Sequence, residues 1–107
     1  MDRFHCSYLN GYVELTPERE SHITERHPDL LPDYRDKIRA VLADPDEVRL
    51  SERSGSTHTF ARWFDDVRNG KHIVVVVVSD FYSERHWIIT AYIARRLSGG
   101  TVEWKRN

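Results

Sequence analysis

Five consecutive valines, Val74 to Val78, constrain the fold more than any other segment of this 107-residue chain. β-branched side chains favour extended backbone, because they restrict the first side-chain torsion and pack well on a pleated surface. Successive side chains of a strand point to opposite faces, so an unbroken valine run places apolar surface on both faces. The run therefore predicts a strand over His72 to Ser79 that is buried on both sides and central in a sheet.

Helical patterns precede this strand. Thr16-Pro17-Glu18 predicts a helix start, since threonine caps free N–H groups, proline suits the first turn and acids favour its positive end. This first helix should stop before Pro28, which disfavours helical geometry in the residue ahead of it. A second helix is predicted over residues 32–43, where apolar residues recur at helical spacing at Tyr34, Ile38, Val41 and Leu42.

Strand patterns follow the helices. Residues 47–50, 57–64 and 87–93 have the composition or alternation of strands, and they flank the valine run. Asn10-Gly11 between short apolar segments favours a hairpin turn near the start, and residues 102–104 suit a final edge strand. Two helices followed by about four strands predict an α+β fold, with two N-terminal helices packed on one face of a roughly four-stranded antiparallel sheet.

Composition excludes several classes of protein. No run of 18 apolar residues exists, so no membrane span is expected. The first residues lack the apolar core of a cleaved leader, and the single cysteine, Cys6, cannot form an internal disulfide, so we expect a cytoplasmic protein. The net charge is −1, with an acidic first half and a basic second half. A strong nucleic-acid binder would usually be more basic.

Polar residues on the first helix form the first candidate site. Arg19, His22 and Arg26 fall on one helix face, whereas His27 points elsewhere. The face is either solvated surface, a metal site, or a cationic stripe with a titratable imidazole suited to phosphate and proton transfer. Zinc ligands on a helix are usually four residues apart, and that spacing is absent, so we expect neither metal nor cofactor.

Polar residues on two strands form the second candidate group. His58 and Arg62 share one face of residues 57–64, and Thr90 and Tyr92 share one face of residues 87–93. We expect these four side chains on the open face of the sheet, with apolar residues packed on the helices. Together with the first helix they would suit metal-free RNA cleavage, which needs a base, an acid and donors to the phosphate.

Several segments, in their order, resemble the phage-associated branch of the barnase–EndoU–colicin–RelE-like (BECR) nucleases. They are RESHITERHP at residues 19–28, LADPDEV at 42–48, FARWF at 60–64, the valine strand and WIITAY at 87–92. The resemblance covers about residues 15–97 of a single domain spanning 1–107. It implies a BECR/RelE-like fold and a metal-independent ribonuclease, often a toxin. By motif position it assigns catalysis to His22, Arg62, Thr90 and Tyr92.

The sequence thus predicts an endoribonuclease that cleaves RNA by transesterification through the 2′-hydroxyl. His22 is the predicted base or acid, and Arg62 the phosphate clamp. RNA or phosphate contacts are assigned to three secondary residues, Arg19, Arg26 and His58. RNA and a cognate inhibitor protein are the expected partners. The alternative is a non-catalytic module of the same fold that binds nucleic acid or protein.

Overall fold

The computed structural model describes residues 2–52 and 54–107, which form seven strands and two helices. In chain order these are β1 (Asp2–Cys6), β2 (Gly11–Leu15), α1 (Pro17–Arg26), α2 (Arg35–Ala43), β3 (Glu47–Leu50), β4 (Thr57–Phe64), β5 (Lys71–Asp80), β6 (Arg85–Ala94) and β7 (Thr101–Lys105). The strands form one sheet in the order β1-β2-β6-β5-β4-β3-β7.

This architecture corrects the predicted fold class. The prediction of two helices on a roughly four-stranded antiparallel sheet is wrong, because β1, β2 and β7 extend the sheet to seven strands. The hairpin of β1 and β2 pairs through β2 with the edge of β6, and that pairing is parallel, so the sheet is mixed. At the other edge β7 pairs with β3. Local patterns predict a hairpin and a terminal strand, but they do not reveal which distant strand each one joins.

The valine strand is central, as predicted: β5 is the fourth of the seven strands. Val74, Val75 and Val77 are buried, whereas Val76 and Val78 are half-buried. The run is therefore buried along its helix face, whereas on the open face it is buried at Val74 and half-buried at Val76 and Val78.

The two faces of the sheet have different surroundings. The helix face packs on Ile23 of α1 and on the apolar stripe of α2, and its core residues include Phe60, Ile73, Val75, Val77 and Ala91. The opposite, open face carries the alternate residues of the same strands, in cross-strand rows that include Thr59–Val76–Thr90 and Ala61–Val74–Tyr92. Since the side chains alternate, each functional residue can be assigned to one face from its register.

The helix boundaries follow the capping signals. Thr16 Oγ1 accepts a hydrogen bond from Arg19 N at 3.2 Å, and α1 ends at Arg26, before Pro28, as predicted. The second helix begins at Arg35, three residues later than predicted, because residues 28–34 form turns instead. Its apolar residues Ile38, Val41 and Leu42 are buried, so the predicted stripe faces the core.

The sheet curves around the helix face. The outermost strands lie at opposite edges, yet Tyr8, in the turn after β1, donates its hydroxyl to Glu103 Oε1 of β7 at 2.8 Å. The Tyr8 ring also packs on His58 and Phe60 of β4, with centroids 5.9 and 6.1 Å apart. The turn of the first hairpin therefore covers the part of the helix face that α1 and α2 leave free.

Residues 95–100, here called the strap, cross the open face between β6 and β7. The crossing is needed because β6 and β7 are separated in the sheet by β5, β4 and β3. Arg49 of β3 fixes the strap by donating from Nη1 to Gly99 O at 3.0 Å. Gly100 has a φ of 68°, and a side-chain carbon there would lie 2.5 Å from Leu50 O, so only glycine fits.

Neither described helix is long and apolar enough to cross a membrane.

Candidate functional site

Arg62 lies on the helix face, not on the open face as predicted. Its Nη1 donates to the carbonyl oxygens of Ala40 at 3.5 Å and Asp44 at 3.3 Å, at the end of α2. The Ala40 carbonyl also accepts from Asp44 N at 3.0 Å, whereas the Asp44 carbonyl lies beyond the last helical hydrogen bond, so the arginine adds a donor that stabilises the helix end. The residue chosen as phosphate clamp therefore caps α2 in this structure.

His58 is also on the helix face, where it is only 6% exposed. Its Nε2 lies 2.9 Å from Glu103 Oε1, the oxygen that also accepts from Tyr8. The pKa of Glu103 is lowered, first by the hydrogen bond from Tyr8 and then by the one from His58. Burial, followed by the bond to Glu103, raises the pKa of Tyr8 to about 12. In this conformation His58 links β4 to β7 and is closed to a ligand as large as RNA.

The predicted stripe of α1 is exposed. His22 and Arg26 are exposed and Arg19 is half-buried. Among residues 2–52 and 54–107, neither Arg19 nor His22 makes a side-chain hydrogen bond; Arg19 contributes only its backbone N–H, which donates to Thr16 Oγ1. The stripe is thus accessible, but it is not joined to Arg62, which is on β4 beneath α2.

Thr90 and Tyr92 do lie on the open face. Val76 and Val74 oppose them on β5, and both side chains are half-buried. Strict alternation along residues 87–93 would also place Ile88 on this face, but the structure does not. A bulge leaves Ile89 without a partner, so Ile88 turns to the helix face, where it is fully buried. Bulges shift the alternation by one residue, which a fixed period of two does not anticipate.

His27 is the histidine of α1 that meets Tyr92. The ring centroids are 6.0 Å apart and the rings are tilted by 38°. His27 is held firmly: its N–H donates to Ile23 O at 2.7 Å, and its carbonyl accepts from Leu30 N at 3.0 Å. The last pair of residues joining β2 to β6 is Glu14 with Trp87, so the rest of β6 has no strand on that side. The chain continues from β2 directly into α1, which packs against β6 and brings His27 to Tyr92.

The structure therefore brings together a different set from the predicted one. Tyr92 and His27 meet at the β6 edge of the open face, and Thr90 lies two residues from Tyr92 on the same strand face, while Arg62 and His58 are on the opposite face. Cross-strand register separates the two groups by the thickness of the sheet. The tyrosine also lines two small grooves beneath the strap, together with Thr59 and Ser98.

A larger groove of about 550 Å³ opens beside these, where the strap leaves β6. Arg49 and Arg96 line both this groove and the small one at Tyr92. The larger groove, here called the basic groove, is lined by five cationic side chains, Arg49, Arg95, Arg96, Lys105 and Arg106, along with Asp46, Glu47, His72 and Leu97.

Sequence reasoning missed most of these residues. The histidine His27 was predicted to point away from the site. Arg95 and Arg96 directly follow a strand, a position that gives no motif.

The pair of Ser79 and His86 was also missed, although Ser79 Oγ lies 2.6 Å from His86 Nδ1 and both residues are buried on the helix face. The two strand ends that hold this pair are brought together only by sheet register.

Comparison with known protein families, curated proteins and solved structures finds no match to this chain.

Proposed function

We propose that this protein is a metal-independent endoribonuclease whose active site is at the β6 edge of the open face. The observation that carries the proposal is the ring contact between His27 and Tyr92, next to Thr90. An imidazole, a phenol and an alcohol on one accessible edge are the groups that this reaction uses. The resemblance of residues 15–97 to BECR nucleases points to the same chemistry.

In the proposed reaction, His27 takes the proton of a ribose 2′-hydroxyl, whose oxygen then attacks the adjacent phosphorus. The bond from O2′ to phosphorus forms and the bond from phosphorus to O5′ breaks. Tyr92 gives its hydroxyl proton to the departing O5′, and Thr90 donates to a non-bridging oxygen as charge develops. The products are a 2′,3′-cyclic phosphate and a 5′-hydroxyl.

This assignment replaces His22 by His27 and leaves Arg62 outside the reaction. Arg96 takes the place of Arg62 as the nearest candidate for a phosphate contact, since it lines the groove that Tyr92 lines. Arg19 and Arg26 of the first helix retain their predicted role in attracting RNA. The proposed enzyme acts in the cytoplasm and is held in check by a cognate inhibitor.

The test is cleavage of a labelled RNA by the purified protein in excess EDTA. His27→Ala should lower the rate about 10²–10⁴-fold, the usual cost of removing a general base. Tyr92→Phe should lower it by a comparable factor, because phenylalanine keeps the ring but lacks the proton. His22→Ala is the matched control and should stay close to wild type.

Two results would contradict the proposal. One is an absence of cyclic-phosphate products under all conditions, which would leave a non-catalytic RNA-binding module as the better interpretation. The other is loss of activity in His22→Ala with full activity in His27→Ala, which would restore the original assignment from sequence.

A further inference from the structure

The basic groove has more positive charge than its own acids can neutralise. Glu47 is paired with Arg49, whose Nε lies 3.0 Å from Glu47 Oε1. Asp46 accepts from Trp63 N at 2.7 Å and lies 3.5 Å from Arg106 Nε. Both carboxylates are therefore engaged, and each is already matched by a cation of the groove itself.

Three cations of the groove remain without a partner. Arg95, Arg96 and Lys105 make no side-chain hydrogen bond or ion pair to any residue in 2–52 or 54–107. Elsewhere several exposed cations are paired, for example Arg68 with Asp29 at 3.0 Å and Arg85 with Glu14 at 3.0 Å. A cluster of unpaired cations around a groove favours an anionic ligand.

An exposed tryptophan contacts one of the residues that line this groove. Trp63 is 42% exposed, and its ring lies edge-on to His72, a groove residue, with centroids 5.0 Å apart. Its Nε1 donates to Asp65 Oδ1 at 2.6 Å. Burial lowers the pKa of His72, which favours the neutral imidazole over the charged form.

Gly70 also holds the Trp63 indole in place. A side-chain carbon at Gly70 would lie 2.6 Å from the Trp63 ring, so the ring rests directly against backbone. With Asp65, His72 and Gly70 around it, the indole has little freedom to lose on binding. A rigid aromatic surface beside a row of cations is the arrangement that binds single-stranded nucleic acid, through stacked bases and backbone phosphates.

We propose that the basic groove is a subsite for single-stranded RNA. Arg95, Arg96 and Lys105 bind successive backbone phosphates, and Trp63 stacks on an unpaired base beside the groove. The inference extends the proposed ribonuclease function, since Arg96 and Arg49 join this groove to the one at Tyr92. It assigns the enzyme a substrate of several nucleotides in a single strand, rather than a dinucleotide or a duplex.

The test uses a 2′-O-methyl oligouridylate of twelve nucleotides, which cannot be cleaved because it lacks a free 2′-hydroxyl. Its dissociation constant is measured at several salt concentrations between 50 and 200 mM. For single strands the slope of log K against log salt is about −0.7 per phosphate contact. The wild type should therefore give a slope near −2, and each of Arg95→Ala, Arg96→Ala and Lys105→Ala should reduce it by about 0.7.

Two matched control variants test whether binding depends on the residues of the groove, rather than on any exposed cation or any exposed aromatic ring. Arg3→Ala removes one exposed cation from the outermost strand β1 and should leave the slope unchanged. Trp63→Ala should weaken binding about 5- to 150-fold, the range for loss of one stacked base. Trp104→Ala is its control, since Trp104 is 40% exposed but lies outside the groove, and it should bind normally.

The outcomes distinguish this inference from the proposed function. Binding that depends on the groove, with no RNA cleavage, supports the subsite and overturns the ribonuclease. RNA cleavage with no effect of the groove variants on binding overturns the subsite and leaves the ribonuclease intact. Equal affinity for a duplex of the same length, or for poly-L-glutamate of the same charge, would also overturn a single-stranded RNA subsite.

Discussion

The two faces of the sheet use the same residue types in opposite ways. On the helix face, Arg62 and His58 are bound to carbonyl or carboxylate oxygens of the protein itself. On the open face, no residue of the described chain hydrogen-bonds to the side chain of Tyr92, which contacts the His27 ring, and none pairs with Arg95 or Arg96. The difference separates polar side chains that hold the fold together from polar side chains that remain available to a ligand.

Sequence alternation alone does not make this separation. A polar side chain on the helix face is tolerated when a partner meets its hydrogen-bonding needs, so polarity does not identify the exposed face. For β4 the alternation was predicted correctly, but the polar side was assumed to be the open one. The burial of His58 shows why that assumption failed: the turn after β1 folds over it.

The largest expected effect comes from exchanging a valine on each face for aspartate. Val75 is fully buried against the helices, whereas Val76, the next residue, is half-buried on the open face. Val75→Asp buries an unpaired carboxylate and should cost more than about 4 kcal/mol of unfolding free energy. Val76→Asp should cost less, because its carboxylate can reach water.

Urea denaturation followed by circular dichroism would measure both variants. If Val76→Asp proved as destabilising as Val75→Asp, the two faces of β5 would be equally buried. The distinction between a helix face and an open face would then be wrong at the central strand.

A smaller effect is expected from removing the arginine that caps α2. Arg62→Ala leaves the Ala40 and Asp44 carbonyls without this donor, and hydrogen bonds from charged groups contribute about 1.5–3 kcal/mol. We expect a loss of unfolding free energy towards the lower end of that range, since the site is partly exposed. The RNA cleavage rate of the folded fraction should not change.

Arg96→Ala provides the opposite control on the open face. It should change stability by less than about 0.5 kcal/mol, as is usual for a surface residue without partners. It should instead weaken RNA binding. A variant Arg62→Ala that melts like the wild type but cannot cleave RNA would reassign Arg62 to catalysis.

The smallest effect expected is a pH dependence of stability from the helix face. The pKa of His86 is lowered, mainly by burial and then by the nearby His58. Its ordinary value is 6.5, so the unfolded chain takes up a proton before the folded protein does. Stability from this group is therefore complete above pH 6.5 and is lost as the pH falls through the lower folded-state pKa.

His86→Asn should flatten the decline in urea midpoint between pH 7.5 and 5.5. His5→Asn is the control, since His5 is exposed on β1, and it should retain the slope of the wild type. An unchanged slope in His86→Asn would mean that His86 is not the group whose protonation opposes folding in this range.

The amino-acid sequence by itself determined the local structure. The valine run predicted the central strand, Thr16-Pro17 and Pro28 bounded the first helix, and Asn10-Gly11 marked the first hairpin. These features depend on backbone preference and on neighbours within a few residues, so a single sequence contains the information.

Only the tertiary structure decided how far the sheet extends and which polar residues meet. The parallel pairing of β2 with β6, the strap across the open face and the bulge at Ile89 all join residues distant in the chain. The contact of His27 with Tyr92 depends on the pairing of β2 with β6 and on the bulge at Ile89. Such pairings are set by burial and hydrogen bonding of the whole sheet, because a one-residue shift in register exchanges its two faces.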